Sequence, residues 1–501
     1  MNQVRKLVER LSRFEICDMI MNTMIKTIRF IGICLGVMLS NICVSGQGHH
    51  IDITLNNYEN DTLIVGYYFA DRQLVHDTLS SESGVFTLKG DSHISPGMYI
   101  AITKPKNDYF QFMVNEKDQE FSIEADFDDL RDLSAEGSID NEIFFEYLAY
   151  IAEQNKKANM LNQMVSASEN GVGDMEEIKK QQKALNEEVV AYQKDILDNN
   201  PGTLTAKLIK SNMEVNIPEF DETDPSALET KRYYYYKNHF FENIDLSDSV
   251  SLRTPFYDNR IQTFLDKITT QIPDTIIKSV DVVLGMMENN PPAFKFYLST
   301  LLGKYGRSKI VGMDAIYVHI IQKYYAQGKA PWVTEDNLLK LTDNAKKMAP
   351  ALIGKTGMNI KTRKQDSTVV SLYDITSDYT VLYFFSHTCG HCKKSTPSLV
   401  DFANKFPEVT VMSVCTKRDI ENCWKYNEEY KMDNIINTVD PFQESRFGAK
   451  YHVTETPRIY ILDKKKKILM KNFPTEELEN IMDEIIKIEG QRKLKEQGGS
   501  K

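Results

Sequence analysis

Cys389 and Cys392 lie one helical turn apart in the tetrapeptide Cys389-Gly390-His391-Cys392. Two thiols at that spacing can close into a disulfide and reopen, which moves electron pairs between proteins with no bound cofactor and no metal. The attacking sulfur must be a thiolate, so something nearby has to stabilise negative charge. The flanking sequence supplies it. Val381–Phe385 is an apolar run that reads as a buried strand, and Leu399, Phe402, Ala403 and Phe406 recur at helical spacing after the pair. The cysteines therefore fall at the start of an amphipathic helix, where free N–H groups and the helix dipole favour an anion. Cys389 is the expected nucleophile and Cys392 the thiol that resolves the mixed disulfide. His391 can place positive charge near the Cys389 sulfur and favour the reduced form, making the pair a stronger oxidant; its alternative is a solvent-exposed spacer.

Downstream, Thr456-Pro457 stands just ahead of a strand, Arg458–Leu462. An X–Pro bond adopts cis far more readily than other peptide bonds. Strand, Cys-x-x-Cys, helix and Thr-Pro together resemble the thioredoxin superfamily, and within it the secreted TlpA-type thiol–disulfide oxidoreductases of Gram-negative bacteria. The resemblance runs from about Pro350 to Gly490. It implies a cis Thr456–Pro457 bond beside the cysteines that helps hold substrate backbone, disulfide exchange with other exported proteins, an upstream membrane thiol reductase or oxidase as redox partner, and a role in cytochrome c maturation. The Gly-His pair between the cysteines matches protein disulfide isomerase, whose potential is less reducing than thioredoxin's. Three positions depart from relatives. Thr388 stands where thioredoxins have Trp, Tyr383 where thioredoxin has a buried acid, and Ser395 where some TlpA-type reductases have Glu. The proton acceptor for the resolving step is thus left unassigned.

The chain has 501 residues, seven cysteines and a formal charge of −11. That length predicts about two to four domains. An acidic chain without a basic block gives no support for nucleic-acid or anionic-membrane binding. Met24–Gly46 has the basic start (Lys26, Arg29), short apolar centre (Phe30–Leu39) and small-residue end of a secretory signal peptide. Residues 1–46 are read as an N-terminal extension plus that signal, with the true start at Met24 or Met21. An uncleaved anchor and a lipid anchor at Cys43 are the alternatives, the latter with a poor lipobox, so the expected location is the periplasm, with membrane association open. Cys17, Cys34 and Cys43 fall in the leader, which leaves Cys389, Cys392, Cys415 and Cys423 for the exported chain. Cys415 and Cys423 could form a second disulfide, relay electrons or be two unrelated half-buried thiols. A four-cysteine zinc site has the wrong spacing.

Residues 48–133 alternate short β-type runs (Ile51–Leu55, Leu63–Phe69, Val75–Leu79, Val85–Leu88, Met98–Ile102, Phe110–Val114, Phe121–Ala125) with turn signals, predicting a β-sandwich-like domain. It resembles the β-domain of unassigned function that precedes thioredoxin domains in similar secreted proteins. His49, His50, His76 and His93 are too scattered to suggest a metal. Residues 138–348 read as an all-α domain, broken at Asn199–Gly202 and Asn289–Pro292. Tyr233–Tyr236 with Phe240 and Phe241 is either an aromatic capture surface or, preferably, a helix burying aromatics on one face. Asp463 and the four following lysines are expected to form a solvated hairpin turn. Residues 350–490 are expected to be an α/β thioredoxin-like domain, opening through a linker and a short hairpin. The function expected is a periplasmic oxidoreductase working through Cys389 and Cys392, with Gly390, His391, Thr456 and Pro457 around them. The alternatives are a partner-binding or scaffold protein whose redox site is secondary, and a thiol peroxidase, whose Pro-x-x-x-Thr-x-x-Cys signature is absent.

Overall fold

The computed structural model describes residues 48–168 and 175–498. The expected signal peptide and Cys17, Cys34 and Cys43 lie outside the described residues. Contacts divide the chain into two compact units at Lys210/Ser211.

The first unit is built on two four-stranded sheets, in the orders β4-β1-β7-β8 and β3-β2-β5-β6. The strands are β1 (His49–Asn56), β2 (Thr62–Phe69), β3 (Arg72–Ser80), β4 (Val85–Gly90), β5 (Gly97–Thr103), β6 (Tyr109–Val114), β7 (Glu120–Asp126) and β8 (Asp129–Glu136). In β1, Ile51, Ile53 and Leu55 are buried and their neighbours are not, the period of two that a one-sided strand requires. Helix α1 (Ile139–Ser168) is pinned to this body by Asn141. Its side-chain amide accepts from the Met113 N–H at 2.7 Å and donates to the Met113 carbonyl at 2.8 Å, as a neighbouring strand would. Helices α2 (Met175–Asn199) and α3 (Leu204–Asn212) follow, and Asp140 accepts from the Thr205 N–H at 2.9 Å.

The second unit opens with helices α4 (Pro225–His239), α5 (Pro255–Thr263), α6 (Pro273–Met286), α7 (Pro291–Gly306), α8 (Asp314–Ile320) and α9 (Glu335–Met348). Four begin at a proline in the first turn, where the missing N–H costs nothing and the fixed φ suits a helix. Phe240 and Phe241 are core residues, whereas Tyr234 is 57% exposed and Tyr233 anchors its hydroxyl on the Ile268 carbonyl at 2.8 Å. The aromatic run thus buries one end and leaves tyrosines at the surface.

A seven-stranded sheet follows, in the order β10-β9-β13-β12-β11-β14-β15. β9 (Lys361–Arg363) and β10 (Val369–Ser371) form the expected hairpin. β11 (Tyr379–Phe385) runs parallel to β12 (Val409–Cys415), which runs parallel to β13 (Ile436–Val439). β14 (Arg458–Asp463) and β15 (Ile468–Lys471) are antiparallel additions. Val381, Tyr383 and Phe385 enter one apolar cluster with helices α10 (Gly390–Lys405), α11 (Ile420–Glu429) and α12 (Leu478–Gly498). Leu382 and Phe384 enter a second on the opposite face, with Leu372, Phe447 and Tyr451. Covering both faces explains why β11 reads as a continuous apolar run.

The lysine-rich turn departs from expectation at one residue. Lys466 is buried and donates to the Ile375 carbonyl at 2.8 Å and to Thr380 Oγ1 at 3.0 Å. Within the same unit, the buried Lys471 of β15 donates to Asp314 of α8 at 2.5 Å and to the Ala351 carbonyl at 2.8 Å. That pair ties the helical segment to the edge of the sheet. Among the described residues, no helix is long and apolar enough to cross a membrane.

Candidate active site

The strand β11 ends at Phe385, and a short loop, Ser386–Thr388, delivers Cys389 to the N-cap of α10. Cys389 is half-buried, and Cys392, one turn on, is fully buried against the sheet. The Cys389 sulfur accepts from the Cys392 backbone N–H at 3.3 Å, filling the place a Ser or Asp side chain takes at an ordinary N-cap. Its thiol faces the Thr456 carbonyl at 3.1 Å. The Thr456–Pro457 bond is cis, as the resemblance implied.

The two thiols are driven apart in acidity. Burial works against a Cys389 thiolate, but hydrogen bonds from Cys392 (its thiol and its N–H), from the Thr456 side chain and from the His391 N–H outweigh it, and Cys389 lies below its ordinary value. Cys392 is pushed up to about 12, first by burial and then by its hydrogen bond to Cys389. One sulfur is therefore prepared as nucleophile, while its partner stays protonated until it is needed.

The remaining predicted site residues sort by geometry. His391 is exposed, and its backbone N–H is what reaches the Cys389 sulfur. Gly390 is exposed too, and a side chain there would meet no atom within 4 Å. Thr388 is exposed, bonded through its hydroxyl to Ser386 at 2.9 Å. Ser395 turns its hydroxyl back to the His391 carbonyl at 2.9 Å, so it does not take over the role of a carboxylate.

Sequence reasoning missed what fills the space under Cys392. Thr396 donates to the Cys392 carbonyl at 2.8 Å. Its single proton is thereby used, so the Tyr426 hydroxyl, 2.7 Å away, donates to Thr396. Tyr383 lies at 3.5 Å on the other side. Burial first, with the cysteine charges adding, holds both tyrosines above the ordinary phenol range. A neutral hydroxyl network thus occupies the position where thioredoxin has its acid. The Tyr383 substitution was visible in the sequence; Tyr426, arriving from a separate helix, carried no local signal.

Cys415 and Cys423 are joined as a disulfide with Cα atoms 6.1 Å apart. Of the readings left open by the sequence, the second disulfide is the one observed. His387 Nδ1 lies 3.8 Å from the Cys423 sulfur. These three residues are the one His/Cys/acid group among the described residues compact enough for a metal, but the sulfurs are already bonded to each other.

A mixed sheet flanked by helices, with a Cys-x-x-Cys pair capping the first helix and a cis-proline loop against it, defines a thioredoxin-like domain. Residues 377–468 match the model of a thioredoxin-like family. The chain thus carries a thioredoxin-like domain with the thiol pair that thiol–disulfide exchange requires. Residues 49–144 and 171–349 match two domains of unknown function, DUF4369 and DUF5106. Among solved structures, a domain of a possible thiol-disulfide isomerase from Cytophaga hutchinsonii is 30% identical, aligned over 28% of this chain and 99% of its own, with a TM-score of 0.27. A thioredoxin-like protein from Bacteroides caccae is 16% identical over 54% of this chain and 98% of its own, with a TM-score of 0.40. A thiol:disulfide interchange protein from a Bacteroides species is 24% identical over 27% and 90%, with a TM-score of 0.26. No curated protein matches the chain.

Proposed function

We propose that the chain is exported to the periplasm and there reduces or rearranges disulfides of other exported proteins through Cys389 and Cys392. The observation that carries this reading is the opposed acidity of the pair: Cys389 lowered and half-buried at the helix start, Cys392 raised and buried behind it. The Cys389 thiolate attacks a partner disulfide, forming a mixed disulfide and releasing one partner thiol. Cys392 then loses its proton, attacks the Cys389 sulfur and frees the second partner thiol, leaving Cys389–Cys392 oxidised. The open surface at Gly390 and the Thr456–Pro457 loop would receive the partner backbone. A membrane thiol reductase or oxidase on the same side of the membrane would reset the pair. Export rests on the Met24–Gly46 leader, whose basic start and short apolar centre fit a signal peptide.

The test is a trap. Reduced Cys392→Ser protein, mixed with a disulfide-bearing protein substrate, should accumulate a covalent complex through Cys389 that dithiothreitol dissolves. Cys389→Ser should form none. Equal trapping by the two variants would overturn the assignment of nucleophile, and trapping by neither would overturn the exchange reading.

A further inference from the structure

The Cys415–Cys423 disulfide sits beside the active-site loop. Cys415 is the last residue of β12 and pairs in register with Phe385, the last residue of β11 before that loop. The Thr416 N–H and hydroxyl both bond the Phe385 carbonyl, at 2.9 and 3.0 Å. His387, two residues before Cys389, places its Nδ1 3.8 Å from the Cys423 sulfur. Both sulfurs are buried, yet what spans them is thin: Lys417, Arg418, Asp419, Ile420, Glu421 and Asn422 are all exposed. The bond therefore lies one residue layer below the surface, closed over by a loop and the first turn of α11. A brace for a strand–helix junction requires no imidazole against one sulfur, and a half-buried His387 is placed where a departing thiolate would need a donor.

We propose that Cys415–Cys423 is a second redox-active disulfide, with His387 positioned to receive the Cys423 sulfur when the bond opens. The reductant is a dithiol, protein-borne or small. Its thiolate attacks the Cys415 sulfur, a mixed disulfide forms, and the Cys415–Cys423 bond breaks with its electron pair leaving on Cys423. His387 hydrogen-bonds that thiolate, and a proton follows. The second thiol of the reductant then attacks the mixed disulfide and releases Cys415. The protein gains two electrons and two protons, and the dithiol becomes a disulfide. His387 acts here as a positioning residue, since its effect is on the leaving sulfur.

The test uses the full chain carrying Cys389→Ser and Cys392→Ser, so that one pair remains. It is equilibrated natively with graded ratios of reduced to oxidised dithiothreitol, alkylated, and read by mass spectrometry of the Cys415 and Cys423 peptides. The expected result is reversible, graded reduction without denaturant. Adding His387→Leu should require a several-fold higher dithiol-to-disulfide ratio for half-reduction, because the thiolate loses its donor. A bond that stays oxidised until the protein is unfolded overturns the proposal, as does a half-reduction ratio that His387→Leu leaves unmoved. The proposal is independent of the exchange reading for the first pair: wild-type protein in the same series reports Cys389–Cys392 separately, so either pair can fail alone.

Discussion

The Cys392 backbone N–H donates to the Cys389 sulfur at 3.3 Å, so the residue proposed to resolve the mixed disulfide also caps the sulfur proposed to start it. The same turn of helix thus performs two tasks. Its dipole and N–H groups lower Cys389, and its inward face takes Cys392 out of water.

Reduced protein should lose stability relative to oxidised protein as the pH rises from about 9 to about 12. Cys392 is held above its ordinary value of 9.0, at about 12, chiefly by burial. A thiol that keeps its proton longer folded than unfolded stabilises the fold below the unfolded value, and that contribution is lost as the pH rises through the folded one. Cys389, shifted down, contributes above its unfolded value and loses its contribution as the pH falls through its folded value, so it does not offset the decline in this window. In the oxidised form neither group titrates. Urea unfolding of both forms across the range checks this; a reduced-minus-oxidised difference that stays level or rises would contradict it.

Thr396→Val should destabilise the reduced protein by about 1–3 kcal/mol, because the buried Tyr426 hydroxyl loses its acceptor while the shape of the site is kept. Thr396→Ser, which keeps the hydroxyl, should recover part of the loss. Denaturation midpoints of the three proteins decide it, and a Val variant as stable as wild type would remove the network from the account.

Asp314→Ala should cost more than Lys471→Met. Removing the aspartate leaves a buried ammonium with the Ala351 carbonyl alone, a change that typically costs about 3–5 kcal/mol. Replacing the lysine by an apolar chain of similar length leaves behind a carboxylate that is 25% exposed and better able to reach water. The comparison is read from thermal unfolding of the two single variants. The reverse order would mean that Lys471 is held by its carbonyl contact and not by its ion pair.

How far the sequence discloses this molecule depends on whether a feature is local. The Val381–Phe385 run, the cysteine spacing and Thr456-Pro457 are contiguous signals, and each points to its place in the thioredoxin-like domain. Helix starts at Pro255, Pro273 and Pro291 are less legible, because a proline that ends one segment equally opens the next. β8 was overlooked because its residues are largely exposed and polar, so alternation is weak. The buried Lys466 was hidden in a run of lysines, where nothing local distinguishes the one that turns inward. The Tyr383–Thr396–Tyr426 network and the His387–Cys423 approach join residues from separate elements, and only the fold brings them together.

The most direct test of the central claim is the pH dependence of alkylation in the reduced full chain, read site by site by mass spectrometry. The structure predicts that Cys389 reacts first, with a midpoint below the ordinary cysteine value of 9.0, while Cys392 stays unmodified on the same timescale. Cys392 reacting as fast as Cys389, or Cys389 titrating at or above that ordinary value, would contradict the account.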